Sequence, residues 1–320
     1  MILPRGGHDP ASVATHYDVL DRFYRELWGE HVHHGLWAQG VHTSPERATR
    51  ALLDRVIARA GLRPGATVCD VGCGYGGTAR VLVREHGARV TALTISRAQW
   101  QEARARGGGP SYLLRDWLEN GVAPESCDAV VAIESLSHMA DKARAFAECA
   151  RVLRPGGRLV VCDWLAAERP AAWEERLLLE PICREGRLPS LASAHEYRDL
   201  MAAAGLAVEG WEDVSREGRH TWAVVGRRAL RRLACDREAR RLLLGPQNPD
   251  RAFAFSLIRI PLAYTTRSMR LGILVATKRP FHKADRTGCG HLVAPAAPAQ
   301  PAGYETTSTA LTRHVCARVL

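Results

Sequence analysis

The run Asp70-Val-Gly72-Cys-Gly74-Tyr-Gly76-Gly77 has the residue types and spacing of a ligand cradle. It ends an apolar stretch, Thr67 to Val71, and leads into a helical pattern, Thr78 to Arg84. Strand, glycine turn and helix set bare backbone at the carboxyl end of a parallel strand, where α/β sheets bind nucleotide-like ligands. Glycine is needed there because the chain turns tightly and a ligand must touch the main chain. Three other side chains could move a proton. Glu134 and His138 follow the apolar run 129–133, and Glu180 sits in Leu-Leu-Leu-Glu-Pro-Ile-Cys at 177–183. A carboxylate in such a run can be partly buried, with a raised pKa suited to a general base. The plainer alternatives are a helix-end acid before Pro181 and a histidine packing a helix start.

The glycine spacing selects among nucleotide sites. A dinucleotide fold spaces its glycines G-x-G-x-x-G, whereas this chain has G-x-G-x-G with an acid two residues earlier. No Gly-Lys-Ser/Thr occurs, which excludes a P-loop. Asp-x-Gly-x-Gly-x-Gly resembles motif I of the class I S-adenosylmethionine (SAM) methyltransferases. The other strand ends suit the same ligand in order. Thr94, where a ribose-binding acid is usual, can hydrogen-bond a ribose, and Gln99 is near. Asp116 can accept from an adenine amine, and Trp117 can pack on the ring. Glu134 faces the reactive end of the cofactor or the acceptor.

The elements that must position these residues are legible from periodicity. Strands are expected at 67–71, 89–94, 111–115, 129–133 and 158–163, alternating with helices, including one capped by Ser96 and one at 142–153. A turn at Arg154-Pro155-Gly156-Gly157 precedes the fifth strand. Strands at 208–214 and 272–278 complete an α/β, Rossmann-like, seven-stranded, mostly parallel sheet with helices on both faces. Residues 12–28 and 44–59 form an N-terminal helical lid spanning 1–60, before a SAM-binding core at 61–165. Residues 166–280 form a helical substrate cap plus the last two strands, with a helix break near 186–189 and helices over 222–262. Residues 284–320, rich in Ala, Pro, Thr and Gly, read as a mostly disordered tail.

Motif I, Leu-Arg-Pro-Gly-Gly at 153–157 and Glu-Ser-Leu-Ser-His-Met at 134–139 resemble small-molecule SAM methyltransferases. Tyr17-Asp18, Trp28-Gly-Glu-His-Val-His-His-Gly at 28–35 and Leu-Thr-Ile-Ser at 93–96 resemble the γ-tocopherol methyltransferase-like group. The resemblance covers residues 12–280. It implies SAM as donor and Tyr17 as a lid residue over it, and it leaves the acceptor open among phenols, amines and prenyl diphosphates. Arg184, Arg187, Arg198, Arg251, Arg259, Arg267 and Arg270 could clamp a diphosphate methylated at carbon, the one case in which Mg2+ would be called for. A phenolic or amine acceptor, methylated at oxygen or nitrogen, is the alternative. His33 and His34, in a run with His31, read as a loop lining the substrate pocket rather than as metal ligands, since no cysteine or carboxylate accompanies them at zinc spacing.

Composition sets the bounds. The 320 residues are 46% hydrophobic and 24% charged, as in an ordinary soluble chain. Nine scattered cysteines suit reduced thiols and a cytoplasmic protein, and the start lacks the apolar core of a signal peptide. Net charge is +10, and from Arg216 to Arg279 fifteen Lys or Arg face four acids. That surplus could attract an anionic acceptor or be a solvated surface. No separate RNA-binding module or Asn-Pro-Pro-Tyr motif occurs, so no nucleic acid is expected. No stretch spans a membrane, and a homodimer is allowed.

Overall fold

Seven apolar runs pair into one sheet in the order β3-β2-β1-β4-β5-β7-β6. The strands are β1 Thr67–Val71, β2 Arg89–Thr94, β3 Ser111–Leu114, β4 Cys127–Ile133, β5 Leu153–Ala166, β6 Leu206–Asp213 and β7 Met269–Lys278. The molecule is a computed structural model that describes residues 1–4, 10–37, 43–237, 240–241, 245 and 253–280. Arg251 and residues 284–320 lie outside them. Met1–Pro280 forms one compact unit. No helix among the described residues is long and apolar enough to cross a membrane.

β1 through β5 pair in parallel, and β7 runs antiparallel to β5 and β6. The central strands β1 and β4 are buried along nearly their whole length, which explains their Val-, Cys- and Ala-rich sequences, interrupted only by Asp70 and Asp128. Connections leave β1 toward β2 and β3 on one side, and β4 and β5 fill the other. The chain order therefore reverses between β1 and β4, and a crevice opens beyond their carboxyl ends.

β3, β4 and β6 differ from the expected bounds by one or two residues at an end, and β5 and β7 by more. β5 begins at Leu153, because Leu153 pairs with Cys127 before a register shift, and it continues to Ala166 opposite Met269. This long antiparallel pairing also draws the start of β7 back from Gly272 to Met269.

The helices follow local signals. The lid is broken at Leu20 into α1 Pro10–Val19 and α2 Asp21–Trp28. Ser44 caps α3 Pro45–Ala60, with Pro45 in the first turn. α4 Gly77–His86 starts from Gly76 in a left-handed conformation, and Ser96 caps α5 Arg97–Arg106. Asp141 caps α6 Lys142–Val152. The next segment holds α7 Ala172–Glu174, a π-turn at Glu175–Leu179 and α8 Glu180–Glu185. α9 Ala194–Ala203, α10 Ser215–Gly218, α11 His220–Cys235 and α12 Phe253–Thr266 follow.

The two loops at the switch point touch. Gly72 has φ +74°, and a Cβ there would lie 2.3 Å from the Ser135 Cβ. Ser135 in turn donates to the Val71 carbonyl at 2.6 Å. Gly72→Ala is therefore expected to lower unfolding free energy by roughly 2 kcal/mol or more, from left-handed strain and overpacking combined. Urea unfolding followed by tryptophan fluorescence checks this; an unchanged midpoint contradicts the close approach.

Candidate active site

A cleft lies beyond the strand ends. Its wall takes Gly72 and Gly74 from the β1–α4 turn, Thr94 and Gln99 from the β2–α5 connection, and Asp116 and Trp117 from beyond β3. Glu134 and His138 come from the loop after β4, and Tyr17 from α1. Asp70 and Gly76 support the wall without lining it: Asp70 is buried, and Gly76 caps α4. Gly74 has φ +53° and nothing within 4 Å of where a Cβ would stand, so any other residue would fill the hollow that a ligand needs.

The polar groups fit an adenosyl ligand. Thr94 Oγ1 accepts from the Ser96 amide (3.2 Å) and donates to Gln99 Oε1 (2.8 Å). That bond turns the Gln99 amide nitrogen away from Thr94 as a donor for ribose. Asp116 Oδ1 accepts from the Leu118 amide at 2.8 Å, which leaves its other oxygen for an exocyclic amine. Trp117 differs from expectation. Its indole is 2% exposed and donates to the Ala145 carbonyl (3.1 Å), because the short 3-10 turn Trp117–Glu119 rolls it into the core beside α6. Ile95, Leu118 and Met139 supply apolar surface in the cleft.

Asp18, which the sequence reading named only beside Tyr17 and gave no role, ties the lid down over this cleft. Asp18 Oδ1 accepts from Ser96 Oγ (2.5 Å) and from the Ala98 amide (3.0 Å), pinning α1 onto the N-terminus of α5. Tyr75 of the glycine turn also donates to Asp21 Oδ1 of α2 at 2.9 Å. The sequence signal was present: a serine cap one strand away from an acid beside Tyr17, with nothing local to pair them.

Glu134 anchors the centre. Its backbone has φ +51°. Its carboxylate accepts from the His34 amide (2.6 Å), His34 Nδ1 (2.9 Å) and Trp164 Nε1 (2.6 Å). Burial pushes its pKa up, but His34, His33 and the Trp164 bond outweigh that and hold it below the usual carboxylate range. The indole of Trp222 donates to His34 Nε2 at 2.9 Å. An indole can only donate, so His34 carries its proton on Nδ1, toward Glu134. Glu134 is thus an ionised anchor whose Oε2 already accepts two hydrogen bonds and whose Oε1 accepts one, which makes it a poor acceptor for a substrate proton.

A second, smaller chamber shares Tyr17, Val32, Glu134 and His138 with the cleft. Its remaining wall includes Tyr24, Trp28, His34, Trp164, Leu188 and Trp222. Tyr17 and His138 stand at the boundary, with Tyr17 OH 3.0 Å from His138 Nε2 and the rings edge to face. The Tyr17 pKa is raised, first by burial and then by Glu134 and Asp163, which keeps the hydroxyl protonated.

Other expected residues stand apart. Glu180 is half-exposed and Arg184 exposed; neither they nor Arg187 line the cleft or the chamber. His33 is buried, its Nδ1 2.7 Å from the His34 carbonyl, and it too lines neither space. Arg259 pairs with Glu185, while Arg267 and Arg270 line a separate open hollow with Arg216 and Arg219.

A family model described as a methyltransferase domain matches residues 69–161. The chain is 34% identical to the 27-O-demethylrifamycin SV methyltransferase of Amycolatopsis mediterranei (strain S699), over 68% of this chain and 82% of that protein. It is 29% identical to the chloroplastic tocopherol O-methyltransferase of Arabidopsis thaliana, over 68% and 69%. Among solved structures, the [4+2]-cyclase SpnF superposes with a TM-score of 0.73 at 26% identity, covering 88% of this chain and 100% of that one.

Asp70 gives a pH test of the cradle. Its Oδ2 is buried without a hydrogen-bond partner. Burial raises its pKa to about 7, opposed by the Ala79 amide. The folded state therefore binds a proton that the unfolded state has released, and stability falls as pH rises from about 4 through 7. Asp70→Asn is expected to flatten that window and to raise stability at pH 8 by on the order of 2 kcal/mol. Urea titrations at pH 5 and pH 8 measure it, and an equal effect at both values contradicts the buried carboxyl.

Proposed function

The chain belongs to the SAM-dependent small-molecule methyltransferases of secondary metabolism, and from that premise we propose that it methylates a hydroxyl oxygen of an apolar, ring-bearing natural product. The observation that carries this reading is the chamber: aromatic walls, a histidine at its boundary with the cofactor cleft, and, among the described residues, no Arg or Lys in its lining. A flat apolar acceptor fits such walls by burial and ring contacts. The 27-O-demethylrifamycin SV and tocopherol relatives are named for O-methylation or its substrate, which agrees with an oxygen acceptor.

SAM, when bound, supplies an activated methyl group on sulfonium. Gly72, Gly74, Thr94, Gln99 and Asp116 would hold it, and α1 would exclude water above it through Asp18 and Tyr17. The acceptor hydroxyl replaces that of Tyr17 as donor to His138 Nε2. His138 takes the proton as the oxygen is methylated, and the aromatic walls hold the acceptor in line.

An amine acceptor is the second reading, because aromatic faces also attract an ammonium group. A prenyl diphosphate needs cations beside the chamber, and none lines it among the described residues. Mg2+ then has no diphosphate to bridge.

The test is methyl incorporation from labelled SAM across phenols, hydroxylated macrocycles, amines and prenyl diphosphates. Turnover of hydroxylated acceptors is expected, with His138→Ala lowering kcat by about 100-fold or more while SAM affinity stays near wild type. Turnover confined to amines or prenyl diphosphates overturns the oxygen assignment. An unimpaired His138→Ala enzyme overturns the base.

A further inference from the structure

Lys142 is the first residue of α6, and its side chain is 3% exposed. Its ammonium donates to the carbonyls of Ser137 (3.2 Å) and Met139 (3.1 Å), the two residues that flank His138. Its third bond goes to Ser190 Oγ at 2.8 Å. Ser190 is buried in the irregular stretch 186–193, whose Gly186 and Leu188 line the chamber. One side chain thus spans the loop that carries His138 and the segment that walls the acceptor space.

A lysine is an unfavourable choice at this position on two counts. Burial disfavours its charge and lowers its pKa to about 8, against the pull of Asp163. The first turn of a helix is also the positive end of its dipole. Helix capping does not require it, because Asp141 already accepts from the Arg144 amide at 2.8 Å. What offsets the cost is a complete set of three acceptors for three ammonium protons. Asp163 braces the same loop from β5, accepting from the Ser137 amide (2.7 Å) and from Tyr197 OH (2.9 Å).

We infer that Lys142 is a positioning residue that fixes His138 at the boundary of the cleft and the chamber and locks its loop to the acceptor-side segment 186–193. This rests on the reading of His138 as the base. The geometric part, a tie between two loops, stands apart from that reading and is measured apart from it.

Two variants separate the functions of the tie. Lys142→Met removes all three bonds, and Ser190→Ala cuts only the acceptor-side one. S-adenosylhomocysteine titration calorimetry, steady-state kinetics and hydrogen exchange are read on each. Lys142→Met is expected to keep the S-adenosylhomocysteine Kd within about fivefold, to lower kcat by about tenfold or more, and to speed exchange in both 136–139 and 186–193. Ser190→Ala is expected to raise the acceptor KM about threefold or more with kcat within about twofold, and to speed exchange in 186–193. A purely structural lysine would lower the melting temperature without this KM and kcat split. Wild-type kcat in Lys142→Met, or faster exchange confined to α6, overturns the inference. Should Lys142→Met not fold, Ser190→Ala decides it. Should no acceptor be turned over by the wild type, the proposed function fails, while the exchange data still accept or reject the tie.

Discussion

The arrangement depends on one buried carboxylate. Glu134 follows β4 in a left-handed backbone conformation and accepts hydrogen bonds from residues 100 and 30 positions away, His34 and Trp164. An ionised carboxylate out of water is costly unless its lone pairs are satisfied, and truncating one partner of such a set commonly costs about 3–5 kcal/mol. Three donors from two residues meet that requirement, and they bring two distant parts of the chain together at the end of β4. The left-handed φ at a residue other than glycine is the local strain accepted for that placement.

From this anchor the two spaces follow. Holding the 31–36 segment at Glu134 docks the preceding helices over the strand ends, where Asp18 and Asp21 pin them to α5 and the glycine turn. His34 then faces Trp222 and Tyr264, so α11 and α12 close the far side. Tyr17 and His138 are left at the boundary of the cleft and the aromatic chamber. The two spaces thus share Tyr17, Val32, Glu134 and His138 and differ in the rest of their walls.

The cofactor side was legible in the sequence because its residues lie within a few positions of strand ends, and parallel-sheet topology brings strand ends together. Gly72, Gly74, Thr94, Asp116 and Glu134 were expected together on that ground, and they line one cleft. The chamber was not legible, since Trp28, Trp164 and Trp222 come from three distant elements and each alone reads as core. Glu180 misled because its leucine run looks apolar throughout, yet Leu177 is 57% exposed while Leu178 and Leu179 are buried. The run is amphipathic across a π-turn, and the glutamate after it stays half-exposed. Trp117 misled because ring direction is set by a 3-10 turn that periodicity does not show. The arginines of 216–279 misled because charge counts carry no position: Arg259 is spent on Glu185 and others line a separate hollow.

The central claim is that Glu134, as an acceptor only, holds the lid over a sulfonium-donor site. Titration calorimetry of cofactor-stripped wild type and Glu134→Gln with S-adenosylhomocysteine tests it most directly. A glutamine keeps the shape but presents its NH2 group to donors that need a lone pair. The account expects saturable uptake by the wild type and affinity weakened by about tenfold or more in Glu134→Gln. No uptake by the wild type, or equal affinity in the two proteins, would contradict it.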